Sequence, residues 1–354
     1  MSKQLVAVII GDIHFDLYAK FNKQLDNGKN SRAQLLINEV ARIFDYAKEN
    51  NIGNIIFLGD IFNSSEVVKT VLFNDVYDLF KNKPRNIDLH LFPGNHDYFS
   101  YFEDSVLHSF YNIPGIWLYE NFHDCIIGGL KIAFHPYVSD GDSISNISRE
   151  GDVIFIHQSV PGVVVGNYEL IKAKDNIDPE KLFKKFKMIV SGHIHTKQIC
   201  QDVIFPGSIA QKDFGDEGIK KYFSVLYDDL SIEYIPTQHP EFHTLDYIEK
   251  DDGEIEIVCE KGVQPTNIDE SFVKVKASKE LWKELSQTEY KDKNKNVVVD
   301  LKPDKKISAV RIQTEDLSDN KKVLENYLNF VSKNDEWVKQ NKEKLLKKGL
   351  EYLE

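Results

Sequence analysis

Five segments of this sequence end an apolar run on residues that bind cations or move protons. LVAVII runs into Gly11-Asp12-Ile13-His14, and NIIFL runs into Gly59-Asp60-Ile61-Phe62-Asn63. LHLF is followed by Pro93-Gly94-Asn95-His96-Asp97, DVIFI by His157-Gln158, and MIV by Ser191-Gly192-His193-Ile194-His195. In the last of these, residues at i and i+2 of an extended segment face the same way. Alone, a His-x-His pair reads equally as a hydrogen-bond cap beside a solvated ring. Five segments in register, mostly entered through a glycine that lets the backbone turn, read as one convergent site at the ends of strands.

Two aspartates, one asparagine and four histidines make a mixed oxygen and imidazole set without thiolate. That set suits Mn, Fe or Zn better than Ca or a structural zinc. Seven groups are too many for one tetrahedral ion but match two ions sharing a bridging carboxylate. A two-metal centre clamps the attacking and leaving oxygens of a displacement at phosphorus and acidifies a water. The chemistry expected is phosphoester hydrolysis by a metal-activated water, with no covalent enzyme intermediate. No Ser or Cys nucleophile motif and no Gly-Lys-Ser/Thr phosphate loop occurs, so the chain itself is not expected to bind ATP.

The elements that must position these residues follow from hydrophobic period. Down to about Pro236, the β-rich runs at 5–10, 54–58, 89–92, 116–119, 130–134, 152–156 and 188–190 alternate with helical stretches. One helix is expected over 31–50, with apolar positions at Leu35, Leu36, Val40, Ile43, Phe44 and Ala47; another runs through Phe73, Val76, Tyr77 and Phe80. This spacing predicts a layered α/β fold with its sheet covered on both faces. From His239 the character changes. HTLDYI, EIEIVCE, SFVKVKA, NVVVDL and AVRIQT read as strands around one helix at 279–289, a small second α/β domain. The tail, 317–354, reads as two helices with apolar positions at Val323, Leu324, Tyr327, Leu328 and Val331, then Val338, Leu345, Leu346, Leu350 and Leu353. Such stripes either pack on their own protein or dock a partner.

With 354 residues, 42% hydrophobic and 28% charged, the chain has the composition of an ordinary globular protein with more than one core. The net charge of −12 counts against a nucleic-acid binder. Bound divalent cations and local lysine clusters can still attract phosphate against an acidic average. Cys125, Cys200 and Cys259 lie far apart with no C-x-x-C, which argues against a zinc ribbon or a disulfide framework. The N-terminal apolar run is too short to span a bilayer and lacks a small-residue cleavage site. A cytoplasmic protein without membrane attachment is expected.

The series DxH, GDxxN, GNHD, a lone His after a strand, and GHxH resembles the signature of the calcineurin-like metallophosphoesterases over the first two-thirds of the chain. Within them GDIFN, PGNHD, IHQS, SGHIH and Phe205-Pro206-Gly207-Ser208 are most similar to the SbcD and Mre-type DNA-repair nucleases, phage recombination endonuclease subunits included. The resemblance implies a four-layer β-sandwich flanked by helices over 1–238. A small α/β capping, DNA-binding domain would follow over 239–316, then C-terminal helices over 317–354 that dock an SMC-like ATPase of the SbcC or Rad type. It implies a Mn-dependent DNA exonuclease and endonuclease, the nuclease subunit of a repair and recombination complex. A homodimer within a heterotetramer is expected, in the host cytoplasm if phage-encoded.

By the same resemblance one ion would be held by Asp12, His14, Asp60 and His195, and a second by Asp60, Asn95, His157 and His193, with Asp60 bridging. Two divalent ions are expected, manganese foremost, with Mg, Fe or Zn as alternatives. His96 would be no ligand but would protonate the leaving oxygen or stabilise its charge. Asn63 departs from the commoner Asp or His, which in relatives helps orient the catalytic histidine. Its amide oxygen can accept a hydrogen bond from His96 but supplies no charge, so His96 is expected to be less basic. Alternatively Asn63 caps a following helix with Ser64 and Ser65. Lys172, Lys174, Lys184, Lys185 and Lys187 would line DNA or form a solvated face. His135-Pro136-Tyr137 lies near the site in chain order and reads first as structural. The rival enzyme is a small-molecule phosphodiesterase or nucleotide pyrophosphatase with the same metal core. A catalytically silent scaffold is disfavoured, because every ligand position is filled.

Overall fold

Alternate side chains of the first strand, β1 (Leu5–Ile10), enter two different cores. Val8 and Ile10 join a cluster with helical residues, whereas Ala7 and Ile9 join a second cluster with residues of another sheet. The same split holds in β2 (Asn54–Phe57), where Ile55 and Phe57 face the helices and Ile56 faces the sheet. Strands buried on both faces read as continuous apolar runs, which is why these segments stand out in the sequence. The computed structural model describes residues 3–99, 105–166, 168–250, 254–259, 261, 271–287, 297–301, 328 and 336–351.

The first sheet has the order β14-β13-β1-β2-β3-β4, with β3 (Asp88–Leu91), β4 (Ile116–Leu118), β13 (Tyr222–Tyr227) and β14 (Ile232–Pro236). The second has the order β11-β12-β10-β7-β6-β5. Its strands are β5 (His123–Ile127), β6 (Leu130–Phe134), β7 (Gly151–Ile156), β10 (Phe186–Ser191), β11 (Gln198–Cys200) and β12 (Val203–Phe205). A short hairpin, β8 (Val163–Val165) and β9 (Tyr168–Leu170), stands apart. Between the two sheets lie Ile132, Phe134, Val153, Phe155 and Val190, packed on Ala7, Ile9, Ile56 and Phe92. Outside the first sheet lie α1 (Ser31–Glu49) and α2 (Thr70–Lys81); outside the second lie α3 (Gly141–Ser145) and α4 (Pro179–Phe183). The layers are therefore helix, sheet, sheet, helix. Each sheet is covered by helices on one face and by the other sheet on the second.

The longest helix shows how local sequence sets these elements. The Asn30 side chain accepts hydrogen bonds from the backbone N–H groups of Arg32 and Ala33, capping α1. Leu36, Val40, Ile43, Phe44 and Ala47 then recur at helical spacing and are buried.

A four-stranded sheet follows, in the order β16-β15-β17-β18: β15 (Phe242–Glu249), β16 (Ile255–Cys259), β17 (Phe272–Ala277) and β18 (Val297–Leu301). Its core is Leu245, Tyr247, Val273, Val275 and Ala277 against Leu281 and Leu285 of α5 (Lys279–Leu285). The helix expected over 279–289 thus ends at Leu285, capped by Ser286. This sheet is fastened to the sandwich by polar as well as aromatic groups. Phe21, Phe242 and Phe272 form one buried cluster, and the buried Arg32 guanidinium sits 3.9 Å from the Tyr18 ring centroid and 5.0 Å from that of Phe272. The Gln211 side chain accepts from Phe242 N at 2.6 Å, and Glu217 accepts from the Thr244 hydroxyl at 2.7 Å.

The chain forms two compact units, Met1–Leu301 and Lys302–Glu354, so the four-stranded sheet belongs to the first. In the second, a helix runs from Glu336 to Glu351 with Leu345 and Leu346 half-buried. The expected strand AVRIQT and the tail positions Val323, Leu324, Tyr327, Val331 and Leu353 lie outside the described residues. Among those described, no helix is long and apolar enough to cross a membrane, and all three cysteines are free.

Candidate metal centre

The five motif-bearing strand ends come from both sheets, three from the first and two from the second. β1, β2 and β3 are mutually parallel, and β7 is parallel to β10, so within each sheet the loops leave on one side. Those loops are sewn together by main-chain hydrogen bonds. Ile13 and His14 donate to the Asp60 carbonyl, Phe15 to Ile61 and Asn63 to Phe15, while Gly192 donates to Ile156. Across the two sheets the His193 N–H donates to Asp12 Oδ1 at 2.9 Å.

Three of the seven candidate ligands hold left-handed backbone, at φ 54° (His14), 48° (Asp60) and 73° (His193). Non-glycine residues there carry strain that the surroundings must hold, and such strain concentrates at functional sites. Gly94 shows how tightly the loops close. A Cβ at this position would lie 2.2 Å from Asp60 Oδ1 and 2.5 Å from Asp60 N. Gly94→Ala is therefore expected to lower the free energy of unfolding by about 2 kcal/mol, as overpacking does. A denaturant titration checks this, and a change below about 0.5 kcal/mol would show that the loop yields freely.

Donor atoms converge in two overlapping groups. His14 Nε2 lies 2.9 Å from His195 Nε2 and 3.6 Å from Asp60 Oδ2. His157 Nε2 lies 3.3 Å from the same Asp60 Oδ2 and 3.1 Å from Asn95 Oδ1, which is 2.9 Å from His193 Nδ1. Two ligands about 2.0–2.2 Å from one ion, at roughly 90–110°, are themselves about 2.9–3.5 Å apart. Most of these separations fall in that range. The sets Asp12, His14 and His195, and Asp60, His157 and His193, each place ligand atoms within 4.8 Å of one another and could hold a metal ion. His14, Asp60 and His96 do the same. Asp12 Oδ2 is buried without a hydrogen-bond partner, a costly state that a cation would relieve.

The outer partners fix which nitrogen each ring presents. His157 Nδ1 donates to the Leu58 carbonyl at 2.6 Å, leaving Nε2 for the cluster. His193 Nε2 pairs with Asp175 Oδ2 at 3.3 Å, leaving Nδ1 for Asn95. Burial opposes charge on His157, yet Asp60 and Asp12 overcome it and raise the pKa to about 9. Burial likewise opposes ionisation of Asp60, but His157, His14 and His96 hold its carboxyl well below the usual range. Burial lowers His14 and His195 below the ordinary imidazole value, against Asp60 and Asp12 respectively. Asp97, buried and close to Asp60, is raised to about 7 although Gly94, Phe62 and Ile61 donate backbone N–H groups to it.

The structure brings all seven candidate ligands and His96 together and corrects the reading of Asn63. His96 Nδ1 donates to the main-chain carbonyl of Asn63 at 2.8 Å, and the side-chain amide takes no part. That amide donates instead to Asp16 Oδ2 at 2.8 Å, and its oxygen is buried without a partner. No helix follows for Asn63 to cap, because α2 begins at Thr70. Lys185 donates to the Ile147 carbonyl, and Lys187 pairs with Asp152 at 2.8 Å while staying exposed, as are Lys172, Lys174 and Lys184. His135 Nδ1 donates to the Pro136 carbonyl, a structural bond, whereas the Tyr137 ring lies 6.1 Å from the rings of both His157 and His193. Asp16 and Asp175 are the partners that strand-end reading misses, since neither follows an apolar run.

A family model described as calcineurin-like phosphoesterase matches residues 5–197, a little over half of the chain. The chain belongs to that family. The matched stretch contains every candidate ligand, and the phosphoesterase is thereby a metal-dependent hydrolase acting on phosphate esters. Two viral proteins are similar to it. "Putative phosphoesterase 244L" of Invertebrate iridescent virus 6 is 24% identical over 234 residues, 58% of this chain and 81% of that protein. "Putative phosphoesterase 078R" of Invertebrate iridescent virus 3 is 24% identical over 225 residues, 60% of this chain and 59% of that protein. The family uses divalent metals, and the His/Asp cluster offers the ligand types they need.

Proposed function

We propose that this phosphoesterase is a manganese-dependent DNA nuclease, exo- and endonucleolytic, and the nuclease half of a two-protein repair or recombination complex. One ion is assigned to Asp12, His14, Asp60 and His195, the other to Asp60, Asn95, His157 and His193. The observation that carries this division is Asp60 Oδ2, which faces His14 Nε2 at 3.6 Å and His157 Nε2 at 3.3 Å and so suits a bridge. When bound, the ions neutralise phosphate charge and make a water acidic enough to attack near neutral pH. The chain supplies the remaining parts. Its loops hold the donors in place, and His96, with Nδ1 committed to the Asn63 carbonyl, keeps Nε2 for the leaving oxygen.

What favours DNA over a small diester is the four-stranded sheet fastened beside the site, with Arg32 against the Phe242 and Phe272 rings and Gln211 and Glu217 bonded to Phe242 and Thr244. Gln211, Arg32 and Lys212 line the same recess as His14 and His195. The resemblance to SbcD-type sequences favours it too, and assigns the C-terminal helices to an SMC-like ATPase and the assembly to a dimer of such pairs.

The test is cleavage of linear duplex DNA with Mn and with Mg, comparing the wild type with His96→Ser. The expected result is Mn-supported cleavage that falls about 100-fold in the variant. Rapid hydrolysis of an aryl phosphodiester without DNA cleavage, even with the ATPase added, would replace this reading with the small-molecule phosphodiesterase.

A further inference from the structure

Asp16 lies two residues beyond His14, outside the donor set, yet it reaches the segment that holds His96. Asn63 is gripped at three points. Its N–H donates to the Phe15 carbonyl at 3.1 Å, its side-chain Nδ2 donates to Asp16 Oδ2 at 2.8 Å, and its carbonyl accepts from His96 Nδ1 at 2.8 Å. The Asp16 carboxylate is itself fixed, because Oδ1 accepts from Leu17 N at 2.7 Å. We propose that Asp16 is a positioning residue for His96, acting through the Asn63 side chain to aim the Asn63 carbonyl at His96 Nδ1.

The chemistry of the amide supports this. Asn63 Oδ1 is buried without a partner, so the far end of the amide does nothing to fix its orientation. A flipped amide would set Oδ1 against the Asp16 carboxylate, oxygen against oxygen, and only one orientation is allowed. Asn63 lies just past an isolated parallel bridge between Phe15 and Phe62, so its peptide is held by one main-chain bond to Phe15 together with the side-chain bond to Asp16. A carbonyl can only accept, so Nδ1 must carry the hydrogen and Nε2 is the nitrogen left to exchange a proton with a leaving oxygen. Loss of the Asp16 contact removes one of the bonds that orient the Asn63 peptide, and the ring can then rotate away from that assignment. The position that usually carries an acid or imidazole thus keeps its orienting task in this chain, by way of its main chain and a carboxylate from the neighbouring loop.

This inference rests on His96 acting as the leaving-group acid. The experiment uses the full-length manganese-loaded protein and a series of diaryl phosphates, from bis(p-nitrophenyl), whose leaving group needs no proton, to diphenyl phosphate, whose leaving group does. Asp16→Ala is expected to lower kcat on diphenyl phosphate about 10-fold and on the nitrophenyl diester less than about threefold, with KM and manganese content unchanged. Asp16→Asn, which keeps an oxygen acceptor, should restore most of the loss. His96→Ala should steepen the leaving-group dependence further. A uniform loss across the series, no loss at all, or an Asp16→Asn as impaired as Asp16→Ala would overturn the proposal. If His96→Ala steepens the dependence and Asp16→Ala does not, only the positioning role fails. If His96→Ala itself lowers all substrates equally, the acid role fails and the positioning role with it.

Discussion

Asp60→Asn is expected to leave a folded protein that holds neither ion firmly and hydrolyses bis(p-nitrophenyl) phosphate at least about 10³-fold more slowly. Asp60 places a single carboxylate oxygen against both donor groups, with Oδ2 3.6 Å from His14 Nε2 and 3.3 Å from His157 Nε2, while Oδ1 accepts from the His96 N–H at 2.8 Å. Asparagine is the sharpest replacement, because Asp60 sits at φ 48° and asparagine adopts left-handed backbone more readily than most residues. Its oxygen can keep the bond to His96 N. The amide –NH2 would then stand where Oδ2 was, offering hydrogens to His14 and His157 and blocking a cation. Metal charge stabilisation is worth several kcal/mol in the transition state, and each 1.36 kcal/mol is tenfold in rate. Metal analysis of the purified variant, circular dichroism and the diester assay together check this. Retention of two equivalents of metal would show that Asp60 is not the bridge.

Much of this site is legible in the sequence for a physical reason. A strand covered on both faces must be apolar throughout, so the first polar residues after such a run mark where the chain leaves the sandwich. Asp12, His14, Asp60, Asn95, His157, His193 and His195 are all found that way. The layers needed the fold itself, because a hydrophobic run does not say which of two sheets it joins. β5 is announced by Gly128-Gly129, both at positive φ in its hairpin with β6, a turn signal that hydrophobic period does not use. Arg32, at the start of α1, is buried among Tyr18, Phe242 and Phe272, a placement that hydrophobic period does not signal. The Asn63 bond to His96 is invisible for a simpler reason: every residue has a carbonyl, and only the fold decides where it points. Asp175 reaches His193 because Gln158 grips the Asp175 carbonyl at 2.8 Å, a contact across an irregular segment.

The two groups of donors should respond differently to acid. In the metal-free protein His157 has its pKa raised to about 9, so at neutral pH Nε2 carries a proton held by Asp60. A cation entering the group of Asp60, Asn95, His157 and His193 must displace that proton. Below about pH 9 its affinity therefore falls as pH falls, by about tenfold per unit, or roughly 300-fold from pH 8.5 to pH 6.0. His14 and His195 run the other way. Burial lowers both below the ordinary value, so they are already neutral at pH 7 and give up no proton on binding. Manganese titrated into the metal-free protein should show one site whose affinity is steep in pH and one that depends on pH less over the same range. Calorimetry at pH 7 in buffers of different ionisation enthalpy should record close to one proton released per protein at saturation. No proton release would mean that the His157–Asp60 pair does not hold its proton in solution, and two equally steep sites would overturn the contrast between the groups. The contrast arises from geometry: Asp60 Oδ2 lies 3.3 Å from His157 Nε2 and 3.6 Å from His14 Nε2, and His157 has Asp12 as a second carboxylate at 3.9 Å.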